Sequence, residues 1–485
     1  MATYTASAGP APQTVAERAA SVRFRRAVVL MAFTLLVPGS AQLVAGNRAV
    51  GRVALRIWLT VLALGALGLL GTYLAPFFML GLAIKLHLFA IARLLMIALA
   101  LGWVYLFVDA WRIGQPLTLV RQQRLMMAGF NGVLSFSVAG GLLFGAHLAA
   151  TGDAFLSAMF GDGAVTGAHD GRYNILLLGG DSGKSRVGMR TDSMTVASID
   201  AHTGRTVLIG LPRNLQNFPF APGSVMAQQW PHGFDCGIPN CELNAVSTWA
   251  VDHAKLFGGD PDQASKDAVI SAIEGVTGLQ INYWAMVDLQ GFRDLSKAVG
   301  GVTINVRQPI AIGKTGDVKG YIPAGRQKLQ GDQLLWYARS RATSDDYSRM
   351  ARQKCVMSAM LQQISPMDVV KHFSALEKAT TGTISTDLPS SEVPRFAELA
   401  LKARSQKMAT VSIVPPAVNT SDPDIAKVHS MVADAIDKSE HGASGGASGG
   451  AKKKHHRAAQ MGEGALGSYQ DGYTANDTSD LGASC

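Results

Sequence analysis

Apolar residues are unevenly spread along this chain. They crowd into long runs before position 152 and alternate with polar residues beyond it. Ile57 to Ile84 holds no charged residue and exceeds the roughly 20 apolar residues that span hydrocarbon. Leu94 to Val108 is a second candidate span; it is short, and reaches full length only with residues beyond Arg93, whose long side chain can snorkel to the interface. Leu125 to Gly152 is a third. Ala27 to Asn47 is also apolar, but Pro38-Gly39-Ser40 and Gln42 interrupt it, and Arg25, Arg26 and Arg48 flank it. Runs this numerous and long argue against a cleavable signal peptide and against the buried helices of a soluble protein.

Basic residues next to a span tend to stay in the cytoplasm. Arg48, Arg52 and Arg56 precede the first clear span, and Arg112, Arg121 and Arg124 lie between the second and third. Keeping both clusters inside takes two crossings, and the third span then delivers the chain outside. Ala27–Asn47 is expected to be re-entrant or interfacial; a full crossing would move the N-terminus but leave the larger part outside. Residues 1–26 are therefore read as a cytoplasmic tail and 27–150 as a multi-pass region of the plasma membrane, with the lipid bilayer as its partner.

Thr151 to Asp170 is rich in Gly, Ala and Asp and reads as a linker. Beyond it the period shortens. Asn174–Gly179, Met194–Ile199, Thr206–Leu211, Tyr283–Leu289, Val302–Val306 and Thr410–Val414 have the length and alternation of strands. The second and third are joined by Asp-Ala-His-Thr-Gly, a loop suited to a hairpin. Helical periodicity marks Gln263–Val276, Gly331–Ala338, Asp346–Ile364, Met367–Lys378 and Ser391–Ala403. Residues 171–438 are thus expected to form an α/β domain, a sheet flanked by helices, behind a helical membrane region. After that comes a Gly/Ser-rich stretch, then Lys452-Lys453-Lys454-His455-His456-Arg457 and a polar end. Residues 439–485 bury too little apolar surface to offset their ordering entropy and read as disordered. The basic cluster is either a contact for anionic polymer or a solvated tail.

Composition alters this picture little. The 485 residues leave room for two or three domains, and the 48% hydrophobic and 16% charged shares follow from the apolar runs. The net charge of +9 invites a nucleic-acid reading, but several basic residues flank spans or lie in the tail. No zinc-finger spacing or basic heptad region accompanies them, so no nucleic-acid partner is expected. Cys236 and Cys241 stand close together with a Gly and a Pro between them. Outside the cytoplasm they read as a local disulfide; free thiols are the alternative, and a half zinc site lacks its second pair. Cys355, among helix formers, reads as a buried thiol. Cys485 carries no pairing signal.

The candidate chemistry begins with two aspartates. Asp181 follows the first strand through Gly179-Gly180, and Asp192 just precedes the next, so a ten-residue loop can return both carboxylates to one sheet edge. That pair suits Mg²⁺, or Mn²⁺, which keeps several waters and takes further ligands from a phosphate; two turn caps are the plainer alternative. Arg190, Arg213, Arg339, Arg341, Arg349 and Arg352 lie mostly at element ends and together make a set suited to a polyanion. Singly, Arg339 and Arg341 could complement a helix C-terminus, and Asp345 with Arg349 could form an i,i+4 surface pair.

Taken together the motifs are more specific. Asn174-Ile-Leu-Leu-Leu-Gly-Gly-Asp181, Gly188-Met-Arg190-Thr-Asp192-Ser-Met and Ile209-Gly-Leu-Pro-Arg213 resemble the opening of the LytR-CpsA-Psr (LCP) catalytic domain. Val287-Asp-Leu-Gln-Gly-Phe292 and Ala298-Val-Gly-Gly-Val302 resemble its middle. Ile322-Pro-Ala-Gly325, Leu329-Gln-Gly331, Tyr337-Ala-Arg339-Ser-Arg341 and Asp346-Tyr-Ser-Arg349-Met-Ala-Arg352-Gln353 resemble its end. The resemblance runs in chain order from about Tyr173 to Val414. It implies a central mixed sheet between helices, a divalent metal on Asp181 and Asp192, and a pyrophosphate ringed by Arg190, Arg213, Arg339, Arg341, Arg349, Arg352 and Gln353. Asp181, Asp192, Arg213 and Arg341 would be catalytic, and an apolar groove would hold the lipid. The implied activity is a metal-dependent transfer of a glycan-phosphate unit from a polyprenyl-pyrophosphate carrier to a peptidoglycan hydroxyl, outside the membrane. One departure stands out: Asn214 occupies the place of the family's usual Asp after Pro-Arg, so the charge that could orient Arg213 is missing. A lipid-binding regulator or scaffold without turnover, and a lipid-pyrophosphate phosphatase, are the competing classes. The Ala- and Gly-rich composition is compatible with an actinobacterial origin, but the residues do not identify the glycan.

Overall fold

The computed structural model describes residues 15–160, 163–180, 191–235, 241–342, 344–364, 383–441, 467–468, 472–473 and 476–485. The chain divides into two units, Met1–Ala154 and Phe155–Cys485.

Among the described residues of the first unit six α-helices follow one another: α1 (Val15–Leu36), α2 (Ser40–Ala45), α3 (Arg48–Leu74), α4 (Pro76–Lys85), α5 (Leu88–Ile113) and α6 (Arg121–Met159), the last ending past Ala154. The interruption expected at Pro38-Gly39-Ser40 is real: Gly39 sits at φ +90°, and a Cβ there would lie 2.6 Å from the Gly51 carbonyl oxygen. Only glycine allows that approach. The run Ile57–Ile84 is not one helix. It breaks at Ala75, because Pro76 has no N–H to continue the ladder and instead starts α4. Arg48–Leu74, Leu88–Thr118 and Arg121–Ala154 are long and apolar enough to cross a membrane. Side chains such as Leu69 and Phe136 point outward, as on helices solvated by lipid rather than water. Gln42 is buried and donates to the Leu106 carbonyl and to Asp109 Oδ2, both at 3.1 Å.

The second unit is built on six strands: β1 (Arg172–Gly180), β2 (Thr191–Asp200), β3 (Thr206–Leu211), β4 (Tyr283–Asp288), β9 (Ile384–Thr386) and β10 (Ala409–Ser412). Their order is β10-β3-β2-β1-β4-β9. β1 runs parallel to β4 and β10 parallel to β3, with the remaining pairs antiparallel, so the sheet is mixed. Strand alternation sorts side chains between two faces. Leu176, Leu178, Met194, Val196, Val207, Ile209 and Leu211 join one core, with α8 (Val246–Asp252), α9 (Pro261–Thr277) and α14 (Ile425–His441). Ala197 and Leu208 face the other side, where α12 (Asp346–Gln363) packs. α9 starts where Asp260 accepts from the amides of Asp262 and Gln263, with Pro261 at its first position, and ends at Gly278, φ +71°. Its buried Val269, Ile273 and Val276 each contribute about 1.5–3 kcal/mol.

Beside the sheet lie two two-stranded antiparallel ladders, β5 (Val302–Val306) with β8 (Gly325–Leu329) and the hairpin of β6 (Ile310–Lys314) with β7 (Asp317–Ile322). Val302–Val306 is therefore a strand, but outside the main sheet. α10 (Leu289–Ala298) and α11 (Gly331–Arg339) complete the helical layer on the α12 side. α7 (Val225–Gln229) and α13 (Val393–Arg404) bury Met226 and Leu399 respectively. The expected helix Met367–Lys378 lies outside the described residues.

Two expectations are corrected. Cys355 is buried but is not a thiol: it is disulfide-bonded to Cys485. Residues 476–485 accordingly pack on the domain instead of extending the solvated tail, with Leu481, at the start of α15 (Leu481–Ser484), fully buried. Cys241 is disulfide-bonded, and Cys236 lies outside the described residues.

Candidate active site

Register brings one end of the sheet to a focus. Gly180, the last residue of β1, pairs with Thr191 of β2 on one side and Asp288 of β4 on the other. Asp192 stands one residue into β2. Asp288 uses Oδ1 to cap α10, accepting from Gly291 N at 2.6 Å. Asp181 and Arg190, assigned to the metal and the pyrophosphate, lie outside the described residues.

Three of the described arginines, Arg213, Arg341 and Arg349, converge on two carboxylates. Asp192 is half exposed and meets Arg213 Nη1 at 2.9 Å through Oδ1. Its backbone carbonyl accepts from Arg349 Nη1 at 2.8 Å. The second carboxylate is Asp346, at the start of α12. It holds Arg349 Nη2 at 2.9 Å, Arg341 Nη1 at 3.3 Å and Arg213 Nε at 3.7 Å. Three guanidiniums and two carboxylates thus form one connected network. Arg349 is the most buried of the three, and that burial pulls its pKa below the ordinary arginine value against the opposing charge of Asp346. Asp346 was not among the expected site residues. Its neighbour Asp345 does not pair with Arg349 as an i,i+4 partner would; it accepts from Ser348 N at 2.8 Å and caps the helix.

Arg339, at the end of α11, stands 5.9 Å from the Trp336 ring centroid, a cation–π distance. Gln353 accepts from Ser193 Oγ at 2.9 Å and donates to the Ala338 carbonyl at 3.2 Å. Arg352 is the exception. It is only 1% exposed and spends its donors inside the protein, on the carbonyls of Tyr337 and Ser340 and the hydroxyls of Ser344 and Ser348. It ties the end of α11 to α12 and does not line the cavity, so the expectation that it surrounds the pyrophosphate is corrected.

Between sheet, α10, α11 and α12 opens a cavity of about 500 Å³, within the ordinary range for ligand sites. Asp192, Arg339, Arg341, Arg349 and Gln353 form its polar part, joined by Lys314 from the β6–β7 hairpin. Val287, Phe292, Leu335, Val356, Met357 and Met360 form its apolar part. Two lining groups, Ser340 Oγ and Arg349 Nε, are buried without a hydrogen-bond partner among the described residues. Asn214 Oδ1 is likewise buried and unpartnered; the departure at this position leaves a neutral acceptor beside Arg213.

Residues 157–440 match the LytR_cpsA_psr family, more than half of the chain. The chain belongs to the LytR-CpsA-Psr family. The LCP domain is 25% identical over 231 residues to polyisoprenyl-teichoic acid–peptidoglycan teichoic acid transferase TagU of Enterococcus faecalis, covering 46% of this chain and 64% of that protein. It is 27% identical over 243 residues to cell wall biosynthesis protein LcpA of Corynebacterium glutamicum, covering 45% and 46% of the two chains. The chain therefore spans less than two thirds of these curated relatives. The crystal structure of Bacillus subtilis TagV is similar at 20% identity and a TM-score of 0.42, over 56% of this chain and 98% of that one.

Among the described residues no three His, Cys, Asp or Glu side chains cluster as metal ligands. Asp192 fits a hard cation that needs few protein ligands: a carboxylate 53% exposed, with only Oδ1 engaged by Arg213.

Proposed function

We propose that this LCP domain transfers a glycan-phosphate unit from a polyprenyl-pyrophosphate carrier to a peptidoglycan hydroxyl on the outer side of the plasma membrane. The observation that carries the reading is a cavity with two chemistries: guanidiniums at one part and apolar side chains at the other. A pyrophosphate joined to a polyprenyl chain has the same division. The TagU relative, named for transfer of teichoic acid from a polyisoprenyl carrier to peptidoglycan, supports the same class. The charge count among the described residues agrees: Arg213, Lys314, Arg339, Arg341 and Arg349 stand against Asp192, Asp288 and Asp346, an excess of positive charge suited to a dianion.

In this reading the acceptor hydroxyl oxygen bonds to the phosphorus next to the sugar. The P–O bond to the carrier's other phosphate breaks, and polyprenyl phosphate leaves. Arg339, Arg341 and Arg349 hold the pyrophosphate oxygens and offset charge that builds on the leaving phosphate. Gln353, fixed by Ser193 and Ala338, orients a further oxygen. The hydroxyl proton passes to a base, with the Asp192 carboxylate as the candidate among the described residues. Mg²⁺ or Mn²⁺ on Asp181 and Asp192 would add charge neutralisation at the same phosphates. Three helices long and apolar enough to cross a membrane would tether the domain beside its lipid substrate, in a multi-pass arrangement.

Incubating the full-length protein with a polyprenyl-pyrophosphate glycan, Mg²⁺ and peptidoglycan tests this. Covalent glycan on peptidoglycan is the expected product. Free phosphate would make the protein a phosphatase, and binding without turnover would make it a lipid-binding scaffold.

A further inference from the structure

Helix α12 has two working faces. One lines the cavity with Arg349, Gln353, Val356, Met357 and Met360. The other packs Tyr347, Met350, Ala351 and Cys355 against Ala197 and Leu208 of the sheet, and against Met408, Val414 and Leu481. Leu481 belongs to residues 476–485, which lie beyond the family match ending at residue 440.

These ten residues hold the second face at successive points. Asn476 is 2% exposed; its Nδ2 donates to the Tyr347 carbonyl at 3.0 Å, and its Oδ1 accepts from Ser412 Oγ at 3.2 Å. Tyr347 lies between Asp346 and Arg349, so this clamp grips the turn that carries the charge network. Thr478 exchanges two backbone hydrogen bonds with Thr410 of the edge strand β10, at 2.7 and 3.1 Å. Leu481 N donates to the Met408 carbonyl at 2.8 Å, and its side chain fills the core between helix and sheet. Cys485 closes the path with its disulfide to Cys355, two residues beyond Gln353.

We infer that residues 476–485 are a strap that fixes α12 against the sheet and thereby sets where Arg349 and Gln353 stand in the cavity, with Asn476 and Cys485 as positioning residues; this rests on the proposed function for the role given to those two side chains. A bidentate guanidinium tolerates little displacement from its phosphate. With Asn476 and Cys485 released, the turn at Tyr347 loses its clamp.

Two variants of the full-length protein, Cys485→Ser and Asn476→Ala, test the inference, the second being a mild change in case the first unfolds. The readout is the affinity for a polyprenyl pyrophosphate, measured in wild type and in an Arg349→Ala background. Each variant is expected to weaken binding about tenfold in wild type. In the Arg349→Ala background the same change should cost less than about twofold, since coupled residues are non-additive. A merely stabilising tail would give equal losses in both backgrounds, and that result, or wild-type affinity in both variants, overturns the inference. Binding without any transfer by the wild type would count against the proposed function alone, because the strap is scored on binding.

Discussion

Three guanidiniums share the Asp346 carboxylate, Arg349, Arg341 and Arg213 standing at 2.9, 3.3 and 3.7 Å. Removing that one charge while keeping an acceptor, as in Asp346→Asn, loosens all three together. Transfer should fall about tenfold to a hundredfold, with donor binding less salt-stable, as measured by rates at two ionic strengths. A second residue-scale prediction concerns Lys354, fully buried beneath the sheet beside Ser412 and the Val411 carbonyl. Burial drives its pKa down from 10.5 to about 7, opposed by Asp477. Between those values the unfolded chain binds a proton that the folded chain does not, so stability rises with pH across that window. Unfolding midpoints at pH 6.5 and 9 should differ in wild type and draw together in Lys354→Met. At this scale the sequence showed part of the site. Arg213, Arg341, Arg349 and Gln353 stood out through their motifs, whereas Asp346 read as one of two aspartates at a helix start, and which of them caps is a matter of backbone geometry. Arg352 was grouped with Arg349, but three helical positions leave the two about 60° apart around the axis, and its side chain turns under Ser340.

At the scale of elements, α12 joins the two chemistries of the cavity: Arg349 and Gln353 come first, then Val356, Met357 and Met360 further along the same face. Narrowing the apolar part should discriminate by chain length. Met360→Trp is expected to weaken binding of a long polyprenyl pyrophosphate, at about 0.8 kcal/mol per excluded methylene, and to leave a short-chain analogue nearly unaffected, as read by calorimetry with both lipids. Equal losses would place the lipid elsewhere. Five of the six strands of the main sheet are legible because one-residue alternation separates its two cores; β9, three residues long and without a fully buried position, is not. The β6–β7 hairpin was not: Gly313 and Gly316 interrupt it and β7 is mostly exposed, so no apolar period marks it. Pro76 likewise hides inside an uncharged run and divides it.

For the whole molecule, the division between helices long enough to cross a membrane and an α/β domain follows from the change in apolar period near residue 152. The attachment of residues 476–485 does not, because Cys355 lies 130 positions from Cys485 and Tyr347 and Ser412 lie 129 and 64 positions from Asn476, partners chosen by the fold. The proposed transfer depends on the guanidiniums lining the cavity acting on a lipid-linked pyrophosphate. The most direct measurement is covalent glycan attachment to peptidoglycan by full-length wild type and Arg341→Ala, each with its unfolding midpoint. Arg341 is nearly half exposed and meets Asp346 at 3.3 Å, so its loss should change the unfolding free energy by no more than about 1 kcal/mol, leaving the midpoint close to wild type while abolishing attachment. Attachment at the wild-type rate by Arg341→Ala would contradict the account.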